Sequence, residues 1–246
     1  MKAISSVDIV LPVYNEEHCL AQSARQVVKY LDSSVSWVWR IVIVDNASTD
    51  RTPAIGRELA SQVPQIEMVR LERKGRGYAL RHAFENSRAD AVMYMDIDLS
   101  TDLAHISEVV DLLQVGHDLA VGSRLAATSQ VERSIKREII SRAYNVIVTI
   151  MFGRACGDFQ CGFKAFRRST VQKLLPLVKD NGFFFDTEII LTARRMRYRI
   201  IDLPVRWVED PDSRVNLLPT ILADLAGLIR VRWGFLTDKM YRSRGA

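Results

Sequence analysis

The sequence predicts an α/β fold in which helices cover both faces of a mostly parallel central sheet. Short apolar segments alternate with segments of helical periodicity as far as residue 121. One apolar segment, residues 91–95, stops directly before two carboxylates, at the place where an open parallel sheet binds its ligands. Polar residues follow the ends of three predicted strands in this way, at Asn15-Glu16, at Asp45-Asn46 and at Asp96 to Asp98. We therefore expect these three loops to meet in one crevice.

The first half of the chain contains alternating predicted strands and helices. The strands cover residues 7–13, 40–44 and 66–71, the apolar run that ends at Asp96, and residues 118–121. The helices cover residues 16–31, 52–61, 78–86 and 104–115. In the first helix, Leu20, Ala24, Val27 and Leu31 recur at the spacing of one helix face. Pro12 lacks an amide donor, so we expect regular strand pairing to stop near it.

The regular alternation ends at Gly122. The later elements are a long amphipathic helix at 133–152, a strand at 164–166, a helix at 186–197, an extended segment at 200–208 that Pro204 interrupts, and an apolar helix at 217–233. No repeat, low-complexity segment or linker separates these elements, so we expect a single domain over residues 1–215. Residues 216–246 would add a C-terminal amphipathic helix and a basic tail.

The composition is that of an ordinary globular protein, with 246 residues of which 48% are hydrophobic and 26% charged. Asp8 interrupts the first apolar run, so we expect no signal peptide. No stretch approaches the roughly 20 apolar residues that span a bilayer. Cys19, Cys156 and Cys161 follow neither a disulfide framework nor a zinc pattern. A reducing, cytoplasmic compartment is therefore expected.

The net charge of +5 is concentrated towards the C-terminal end. Residues 229–246 contain five basic side chains and one acidic side chain, which gives a net charge of +4. Such an end suits an anionic membrane surface or nucleic acid, and the alternative is a solvated tail. The basic residues lack interleaved aromatic side chains of the base-stacking type, so no nucleic-acid partner is expected.

We expect a peripheral association with the membrane. Residues 217–235 could lie in the membrane interface, with Trp207 and Trp233 nearby. The alternative for this helix is a core position that closes the sheet. A membrane-protein partner or a homo-oligomer could equally provide the membrane contact.

Asp96 and Asp98 are candidate metal ligands. They lie two residues apart at the end of an apolar strand, and both can face one cation if the chain turns there. Mg²⁺ is commonly held by one or two carboxylates together with substrate phosphates. The pair therefore predicts a metal and diphosphate site, with a solvated acidic turn as the alternative.

Eight short motifs carry a resemblance to a known family. They are LPVYNE at 11–16, VDNASTD at 44–50, GRG at 75–77, DIDLS at 96–100, GSR at 122–124, KRxxxSR at 136–142, DxQCGFK at 158–164 and FDxE at 185–188. In this order they resemble the family 2 glycosyltransferases of the GT-A fold, a Rossmann-like α/β architecture, and most of all the polyprenyl-phosphate (dolichyl-phosphate) sugar transferases. The last two motifs are similar to the dolichyl-phosphate glucosyltransferase branch, which favours UDP-glucose over GDP-mannose as donor.

The resemblance implies a nucleotide site in the first two loops. Pro12, Tyr14 and Glu16 would surround the base and ribose, with Glu16 near the ribose hydroxyls. Asp45 would accept the imide N–H of uracil, which discriminates against bases without this donor. From the residues alone, Tyr14 could instead pack, Glu16 could cap the next helix, and Asp45 could form an Asx turn.

The resemblance also implies a diphosphate and metal site. Gly77 would let the backbone approach the ligand closely, and Lys74 or Arg76 would face a phosphate. Asp98 would ligate Mg²⁺ or Mn²⁺ directly, and Asp96 would assist through the cation, a water or the ribose. The metal would stabilise the charge of the departing UDP.

The acceptor side of the implied site is rich in arginine. Arg124 and Arg137 match family arginines that bind the acceptor phosphate, and Arg142 is a further candidate, because a guanidinium matches phosphate oxygens. For Arg137 and Arg142 the alternative is a charged helix face. Asp158 and Gln160 would line the sugar pocket.

Two further positions are less settled by the sequence. Arg214 would end a flexible loop that closes over the donor. Relatives usually have glycine where this chain has Asp210-Pro211-Asp212, so closure by a glycine hinge is in doubt. Asp186 could bind the sugar or cap the helix that it begins.

The implied reaction is direct displacement at the anomeric carbon. An oxygen of a polyprenyl monophosphate attacks, UDP leaves, and the configuration inverts. An ionised phosphate needs no general base, which agrees with the absence of a histidine from the motifs.

One alternative is a GDP-mannose-dependent polyprenyl-phosphate mannosyltransferase. A second is a family 2 enzyme with a hydroxyl acceptor, which needs Asp186 or Glu188 as base. A third is a non-catalytic nucleotide-sugar binder, which would need Asp45 but neither Asp98 nor Arg124.

Overall fold

The computed structural model describes residues 3–209 and 217–237. Its main sheet has seven strands in the order β3-β2-β1-β4-β7-β5-β8. The strands are β1 (Ser6–Val13), β2 (Val38–Asp45), β3 (Ile66–Arg70), β4 (Ala91–Tyr94), β5 (Leu119–Ser123), β6 (Gln130–Glu132), β7 (Lys164–Arg167), β8 (Ile200–Pro204) and β9 (Arg206–Val208). β6 and β9 form a separate parallel pair.

In the described part of the chain, eight α-helices connect and cover the strands. They are α1 (Leu20–Ser34), α2 (Thr52–Gln62), α3 (Arg76–Asn86), α4 (His105–Gln114), α5 (Ile135–Phe152), α6 (Arg168–Leu174), α7 (Phe185–Arg195) and α8 (Leu217–Thr237). A 3₁₀ turn, Leu175–Leu177, follows α6. The strands and helices predicted for the first half are all present, with ends that differ by at most four residues. The short elements β6 and α6 were not predicted, because neither is long enough to show a period.

Strand pairing does not stop at Pro12 as expected. β1 pairs with β2 through Pro12 opposite Val44 and on to Val13 opposite Asp45. The carbonyl of Val10 accepts from Met95 N–H at 3.2 Å, on the β4 side. The backbone nitrogen of Pro12, two residues later, points to the same side, where β4 has already ended. The missing amide hydrogen of Pro12 therefore removes no hydrogen bond from the sheet.

β7 is the one strand of the main sheet that runs antiparallel to its neighbours. It lies between β4 and β5, with Lys164 opposite both Tyr94 and Val121. An antiparallel strand begins at the edge where its neighbours end. The segment before β7, residues 156–163, therefore lies beside the loops that follow β4 and β5. This topology brings the DxQCGFK motif to the same edge as the DIDLS and GSR motifs.

Two hydrophobic cores lie on the two faces of the sheet, which confirms the predicted helix layers. On one face, α1, α2 and α4 bury side chains such as Leu20, Leu59 and Ile106. On the other face, α3, α5, α7 and α8 share a second core. Each fully buried leucine or isoleucine stabilises the fold by roughly 1.5–3 kcal/mol relative to an exposed one. The sheet that carries the site is thus fixed from both sides.

α5 and α8 each bury only one side. On α5, Val148 is buried, whereas Ile135, Ile139 and Ile147 are exposed. On α8, Leu228 is buried in the second core. The inner side of α8 therefore packs in the core, which was the alternative to a position in the membrane interface. Across residues 3–209 and 217–237, no helix is both long and apolar enough to cross a membrane. The division predicted at residue 215 lies outside the described residues and stays a prediction.

Candidate active site

The loops after β1, β2 and β4 meet at one edge of the sheet, as their strand order requires. Each loop contains a non-glycine residue in the left-handed region: Asn15 with φ 57°, Ala47 with φ 63° and Leu99 with φ 55°. The first two loops are also bonded together. Asn15 N–H donates to Ser48 Oγ at 2.9 Å, and Thr49 N–H donates to Asn15 Oδ1 at 2.8 Å. Backbone in this region is unfavourable without surrounding support, and such residues cluster at ligand sites.

Asp45 lies at the end of β2, and only one of its two carboxylate oxygens accepts a hydrogen bond within the described residues. Its side chain is fully buried, and Oδ1 accepts from Ser48 N–H at 3.1 Å. Oδ2 lies 3.7 Å from Arg70 Nε and accepts no hydrogen bond within the described residues. A buried acceptor without a donor costs about 1–3 kcal/mol. Oδ1 therefore bonds within its own loop, three residues on rather than the two of an Asx turn, and Oδ2 suits an N–H donor from a ligand.

The first nucleotide loop has local contacts of its own. Lys74 Nζ lies 3.6 Å from the centre of the Tyr14 ring, a cation–π contact. Cys19 Sγ lies 3.3 Å from Glu16 Oε2, and Glu16 N–H donates to Thr52 Oγ1 at 2.8 Å. Pro12, Tyr14 and Glu16 are half-buried, so all three retain surface at the crevice. Their contacts with base and ribose stay predictions.

Asp96 is positioned from two sides. Arg76, at the start of α3, donates from Nη1 to Asp96 Oδ1 at 2.6 Å. On the other side lies Gly162, where an added methyl group would overlap the Asp96 carboxylate. Arg76 Nη2 is buried and makes no hydrogen bond in the described part of the chain. The arginine therefore fixes one acid and has a further N–H group for an anion.

Gly77 lies where two helices pack closely. It is buried, and an added Cβ would lie 2.6 Å from Cβ of Phe185. The missing side chain at Gly77 makes room for α7 to pack on α3. The close approach of its backbone to a ligand stays a prediction.

Behind Arg76 lies a buried cluster around Asp186. Asp186 Oδ1 accepts from the Tyr94 hydroxyl and, at 3.0 Å, from Lys164 Nζ. Asp186 Oδ2 lies 3.4 Å from Arg76 Nε. Burial raises the pKa of Asp186 to about 6 and lowers the pKa of Lys164 to about 8. The sequence left Asp186 between sugar binding and helix capping, but its oxygens are occupied by protein groups.

Asp98 lies at the exposed tip of the acidic turn. Its Oδ1 accepts from Ser100 N–H at 2.9 Å, and the left-handed Leu99 turns the chain between them. Within the described ranges no group of three or more metal-ligating side chains occurs. Two carboxylates are nevertheless the hard oxygen donors that Mg²⁺ or Mn²⁺ takes from a protein when a diphosphate supplies the rest. Asp96 and Asp98 fit such an ion.

Arg124, which follows β5, is paired with Asp158 in the loop before β7. Arg124 Nε lies 2.7 Å from Asp158 Oδ2, and Nη2 lies 3.0 Å from Oδ1. Burial alone would raise the pKa of Asp158, but the Arg124 guanidinium lowers it below its ordinary value. Gln160 donates from Nε2 to Asp224 Oδ2 at 2.8 Å. Asp158 therefore positions Arg124 here, and its contact with a sugar stays a prediction.

A cavity of about 400 Å³ lies beside Arg124. It is lined by Arg124, Leu125, Ala126, Ala127, Ser129, Val131, Glu138 and Arg142. Arg142 reaches it from the outer side of α5, where it also pairs with Glu138 at 2.7 Å. Arg137 does not line it; its Nη1 pairs with Glu209 Oε1 at 2.9 Å. Of the two helix arginines, the structure therefore favours Arg142 for an anion in this cavity.

Arg133 is a candidate that sequence reasoning missed. Its side chain is only 3% exposed, and its Nε makes no hydrogen bond among the described residues. Burial and the neighbouring Arg124 lower the pKa of Arg133. Glu138 Oε2 lies 4.0 Å from its Nε. The signal in the sequence was faint, because Arg133 precedes the helix and lies outside the motifs.

Arg214 and the acid-rich segment 210–212 lie outside the described residues, so loop closure over the donor is untested. The basic tail from residue 238 onward lies outside them as well. The remaining site residues all lie at the carboxyl edge of the sheet or in the cavity next to it, apart from Arg137.

Comparison with known proteins agrees with this geometry. The glycosyl transferase family 2 profile matches residues 8–175, more than half of the chain. Glycosyltransferase AglD from Haloferax volcanii is 36% identical over 230 residues, which cover 92% of this chain and 37% of AglD. Dolichyl-phosphate beta-glucosyltransferase from Saccharomyces cerevisiae is 26% identical over 250 residues, which cover 94% of this chain and 75% of the yeast protein. The chain thus spans little more than a third of AglD.

Solved structures show the same fold. Glucosyl-3-phosphoglycerate synthase from Mycobacterium tuberculosis, in complex with Mn²⁺, UDP and glucosyl-3-phosphoglycerate, matches with a TM-score of 0.67 and 18% identity over 92% of this chain and 78% of that one. The same enzyme with Mg²⁺ and UDP matches with a TM-score of 0.65 and 19% identity, over 92% and 78% of the two chains. At such identities the likeness concerns the fold alone, and the predicted GT-A fold is confirmed. The motifs, the converging loops and the matched profile agree: the chain belongs to glycosyl transferase family 2.

Proposed function

We propose that this chain transfers glucose from UDP-glucose to the phosphate of a polyprenyl monophosphate, with inversion at the anomeric carbon. The observation that carries the choice of acceptor is the arginine-lined cavity beside Arg124. Arg124 and Arg142 line it, and the buried Arg133 adds a third positive charge next to it. Such a cluster favours an anion, and the relatives named dolichyl-phosphate beta-glucosyltransferase support a lipid phosphate.

The donor side of the proposal rests on Asp45 and Asp96. The uncommitted Oδ2 of Asp45 would accept the uracil imide N–H. Arg76, fixed by its bond to Asp96, would donate to a donor phosphate through Nη2. A divalent ion on Asp96 and Asp98 would stabilise the negative charge that develops on UDP. Mn²⁺ and Mg²⁺ in the UDP complexes of the mycobacterial synthase support this choice of metals.

The acceptor side needs orientation and no proton transfer. The two-point pair with Asp158 fixes the Arg124 guanidinium plane and leaves Nη1 outside that pair. A phosphate monoester in the cavity is ionised near neutral pH, since its second pKa is about 6. Cations that hold it in line with the sugar supply orientation and charge stabilisation. Arg124 and Arg142, which both line the cavity, would do this.

A hydroxyl acceptor is a weaker alternative. It requires a general base, and Asp186 or Glu188 was the candidate. Asp186 is 5% exposed and bonded to Tyr94 and Lys164. Glu188 is 2% exposed, and its Oε1 and Oε2 accept hydrogen bonds from Arg230 Nη1 and Nη2, at 2.7 and 2.9 Å. Neither carboxylate is presented to a substrate, so the phosphate acceptor is favoured.

A donor screen tests the proposal. Radiolabelled UDP-glucose and GDP-mannose are each incubated with a short-chain polyprenyl phosphate, with and without EDTA. We expect label from UDP-glucose in the organic phase, lost with EDTA and restored by Mg²⁺ or Mn²⁺. Asp98→Asn should abolish the transfer, whereas Asp111→Asn, an exposed carboxylate on α4, should not.

Two results would contradict the proposal. Label from GDP-mannose alone would make the chain a mannosyltransferase. No label from either donor in the organic phase would contradict transfer to a lipid phosphate. The cytoplasmic location and the peripheral association with the membrane remain predictions that this assay does not address.

A further inference from the structure

α5 exposes a line of apolar side chains that the proposed reaction does not use. Ile135, Ile139, Val146 and Ile150 are between 56% and 79% exposed. They follow one another at steps of four, seven and four residues, so they share one side of the helix. We call these four residues the α5 stripe. Large apolar side chains exposed in such a line mark an interaction surface.

α8 has a second line of the same kind. Leu222, Ile229, Trp233 and Leu236 are between 51% and 69% exposed. Their steps of seven, four and three residues again correspond to one helix side. We call these residues the α8 stripe. It includes a tryptophan, the side chain that prefers the boundary between lipid and water.

The two stripes face away from the same core. The inner sides of the helices, with Val148 on α5 and Leu228 on α8, are buried in the hydrophobic core on one face of the sheet. The helices are neighbours, because the rings of Phe152 and Phe235 lie 5.9 Å apart edge to face. Their outer sides therefore point outward from one side of the protein.

The charges next to the stripes are mainly basic. On α5, Arg137 pairs with Glu209 and Arg142 with Glu138, whereas Lys136 is exposed. On α8, Arg230 bonds to the buried Glu188, Arg232 is exposed, and the one acid, Asp224, is only 2% exposed. An apolar stripe with basic residues at its margins is the pattern of a helix that lies in the interface of an anionic membrane. A protein partner with an apolar groove would not need the positive margins.

The α5 stripe is also continuous with the arginine-lined cavity. Glu138 and Arg142, which line that cavity, occupy the same helix turns as Ile135 and Ile139. A lipid whose phosphate lay in the cavity would have its tail close to the bilayer into which the stripe inserts. This orientation rests on the proposed function, whereas the exposed stripes and their charges do not.

We propose that the α5 and α8 stripes together form a docking surface for an anionic lipid bilayer. The side chains of the stripes would enter the headgroup region, and the flanking Lys136 and Arg232 would contact lipid phosphates. The protein would then lie on the membrane with its arginine-lined cavity at the surface.

Vesicle flotation of the full chain tests this surface. We expect flotation with vesicles of phosphatidylcholine and phosphatidylglycerol, and weak flotation with phosphatidylcholine alone. Replacing the four residues of the α5 stripe by serine should lower the bound fraction about tenfold, because the apolar contact area is removed. The control is Val38→Ser with Val115→Ser, exposed valines on β2 and after α4, which should float like the wild type.

Three outcomes would overturn the docking surface. One is flotation of the stripe variant at the wild-type level, and another is an equal loss in the control variant. The third is a wild type that does not float but forms a dimer that the stripe variant loses, which would assign the surface to a second copy of the chain. Circular dichroism of each variant shows whether the fold is retained.

A transfer assay separates this proposal from the proposed function. In detergent, with a short-chain acceptor, the stripe variant should keep its rate within about twofold, because the site itself is unchanged. Wild-type protein that floats but transfers no sugar would contradict the proposed reaction and still support the docking surface.

Discussion

Arg124 and Asp158 form a two-point ion pair, with Nε 2.7 Å from Oδ2 and Nη2 3.0 Å from Oδ1. The pair joins the loop after β5 to the loop before β7, which are 34 residues apart in the chain. The Arg124 side chain is 13% exposed and that of Asp158 is fully buried. The carboxylate expected to bind the sugar thus positions the arginine expected to bind the acceptor.

Replacing Asp158 should therefore affect both stability and transfer. Asp158→Asn leaves a buried guanidinium without its counter-charge, which should lower the free energy of unfolding by about 3 kcal/mol. It should also raise KM for the acceptor, because Arg124 loses its fixed orientation. Urea unfolding and initial rates measure the two effects.

Glu85→Gln is the control: it removes an exposed partner of Arg81, 4.0 Å away, and should lower the free energy of unfolding by less than about 1 kcal/mol. Equal, small losses for both variants would contradict a structural role of the pair.

Gly162 should be required for the position of Asp96. Gly162→Ala would force the Asp96 carboxylate to move, so we expect transfer to fall at least about tenfold while the fold is kept. Gly234→Ala is the matched control, because nothing lies within 4 Å of an added methyl group. In helix α8 that change should raise stability by up to about 1 kcal/mol without affecting the rate. A Gly162→Ala enzyme with wild-type activity would show that the Asp96 position is not critical.

The sequence predicted the three converging loops because each polar cluster directly follows a buried strand. It did not predict which side chains contact one another across loops. The Asp96–Gly162 contact depends on β7 running antiparallel between β4 and β5, and a four-residue strand carries no signal of direction. Short motifs also predicted Arg124 and Asp158 as site residues, but the pairing of their charges is visible only in three dimensions.

The two faces of α5 were beyond sequence reasoning for a different reason. The helix is apolar at positions on more than one side, and the periodicity does not tell which apolar side meets the core. In the structure Val148 is buried and Ile150 is 79% exposed. The neighbouring sheet and α8 decide this choice, and neither is local in sequence.

Asp45 should contribute to nucleotide affinity more than to stability. Asp45→Asn can keep the Ser48 contact of Oδ1 but places an amide donor where the uracil imide N–H would bind. We expect the Kd for UDP to rise ten- to a hundredfold, about 1.4–2.8 kcal/mol, with little change in unfolding. Asp50→Asn, in the same loop, weakens an acceptor of Thr52 N–H and should reduce stability without changing the Kd. Calorimetric titration with UDP distinguishes the two, and unchanged affinity in Asp45→Asn would exclude the base contact.

Asp224 should make stability depend on pH. Burial raises the pKa of Asp224 to about 7, and the nearby Asp180 carboxylate adds to this, whereas in the unfolded chain it is about 3.9. The folded protein then holds a proton that the unfolded chain releases, so the stabilisation is full below about pH 4 and is lost as pH rises through about 7. Asp224→Asn cannot ionise and keeps an acceptor for Gln160.

The variant should therefore gain stability relative to the wild type between about pH 5 and about pH 8, by on the order of 2 kcal/mol. Urea unfolding at the two pH values measures the difference. Asp111→Asn, an exposed residue of α4, should show no such change. A difference between Asp224→Asn and wild type that is constant with pH would contradict the raised pKa.

Arg133 should show opposite effects on stability and on acceptor binding. Its buried Nε makes no hydrogen bond among the described residues, and burial together with Arg124 lowers its pKa, so the charge is poorly compensated in the free protein. Arg133→Met removes this charge and keeps an unbranched side chain. We expect the free energy of unfolding to stay the same or rise by about 1 kcal/mol, and KM for the polyprenyl phosphate to rise about tenfold.

Initial rates at varied acceptor concentration, with UDP-glucose saturating, measure this effect, and urea unfolding measures stability. Arg199→Met is the control, because that arginine is 58% exposed and lies at the start of β8. It should leave KM unchanged. A loss of stability in Arg133→Met with an unchanged KM would mean that Arg133 is a structural residue. Unchanged or higher stability together with a raised KM would mean that the Arg133 charge lowers the stability of the free protein and binds the anionic acceptor.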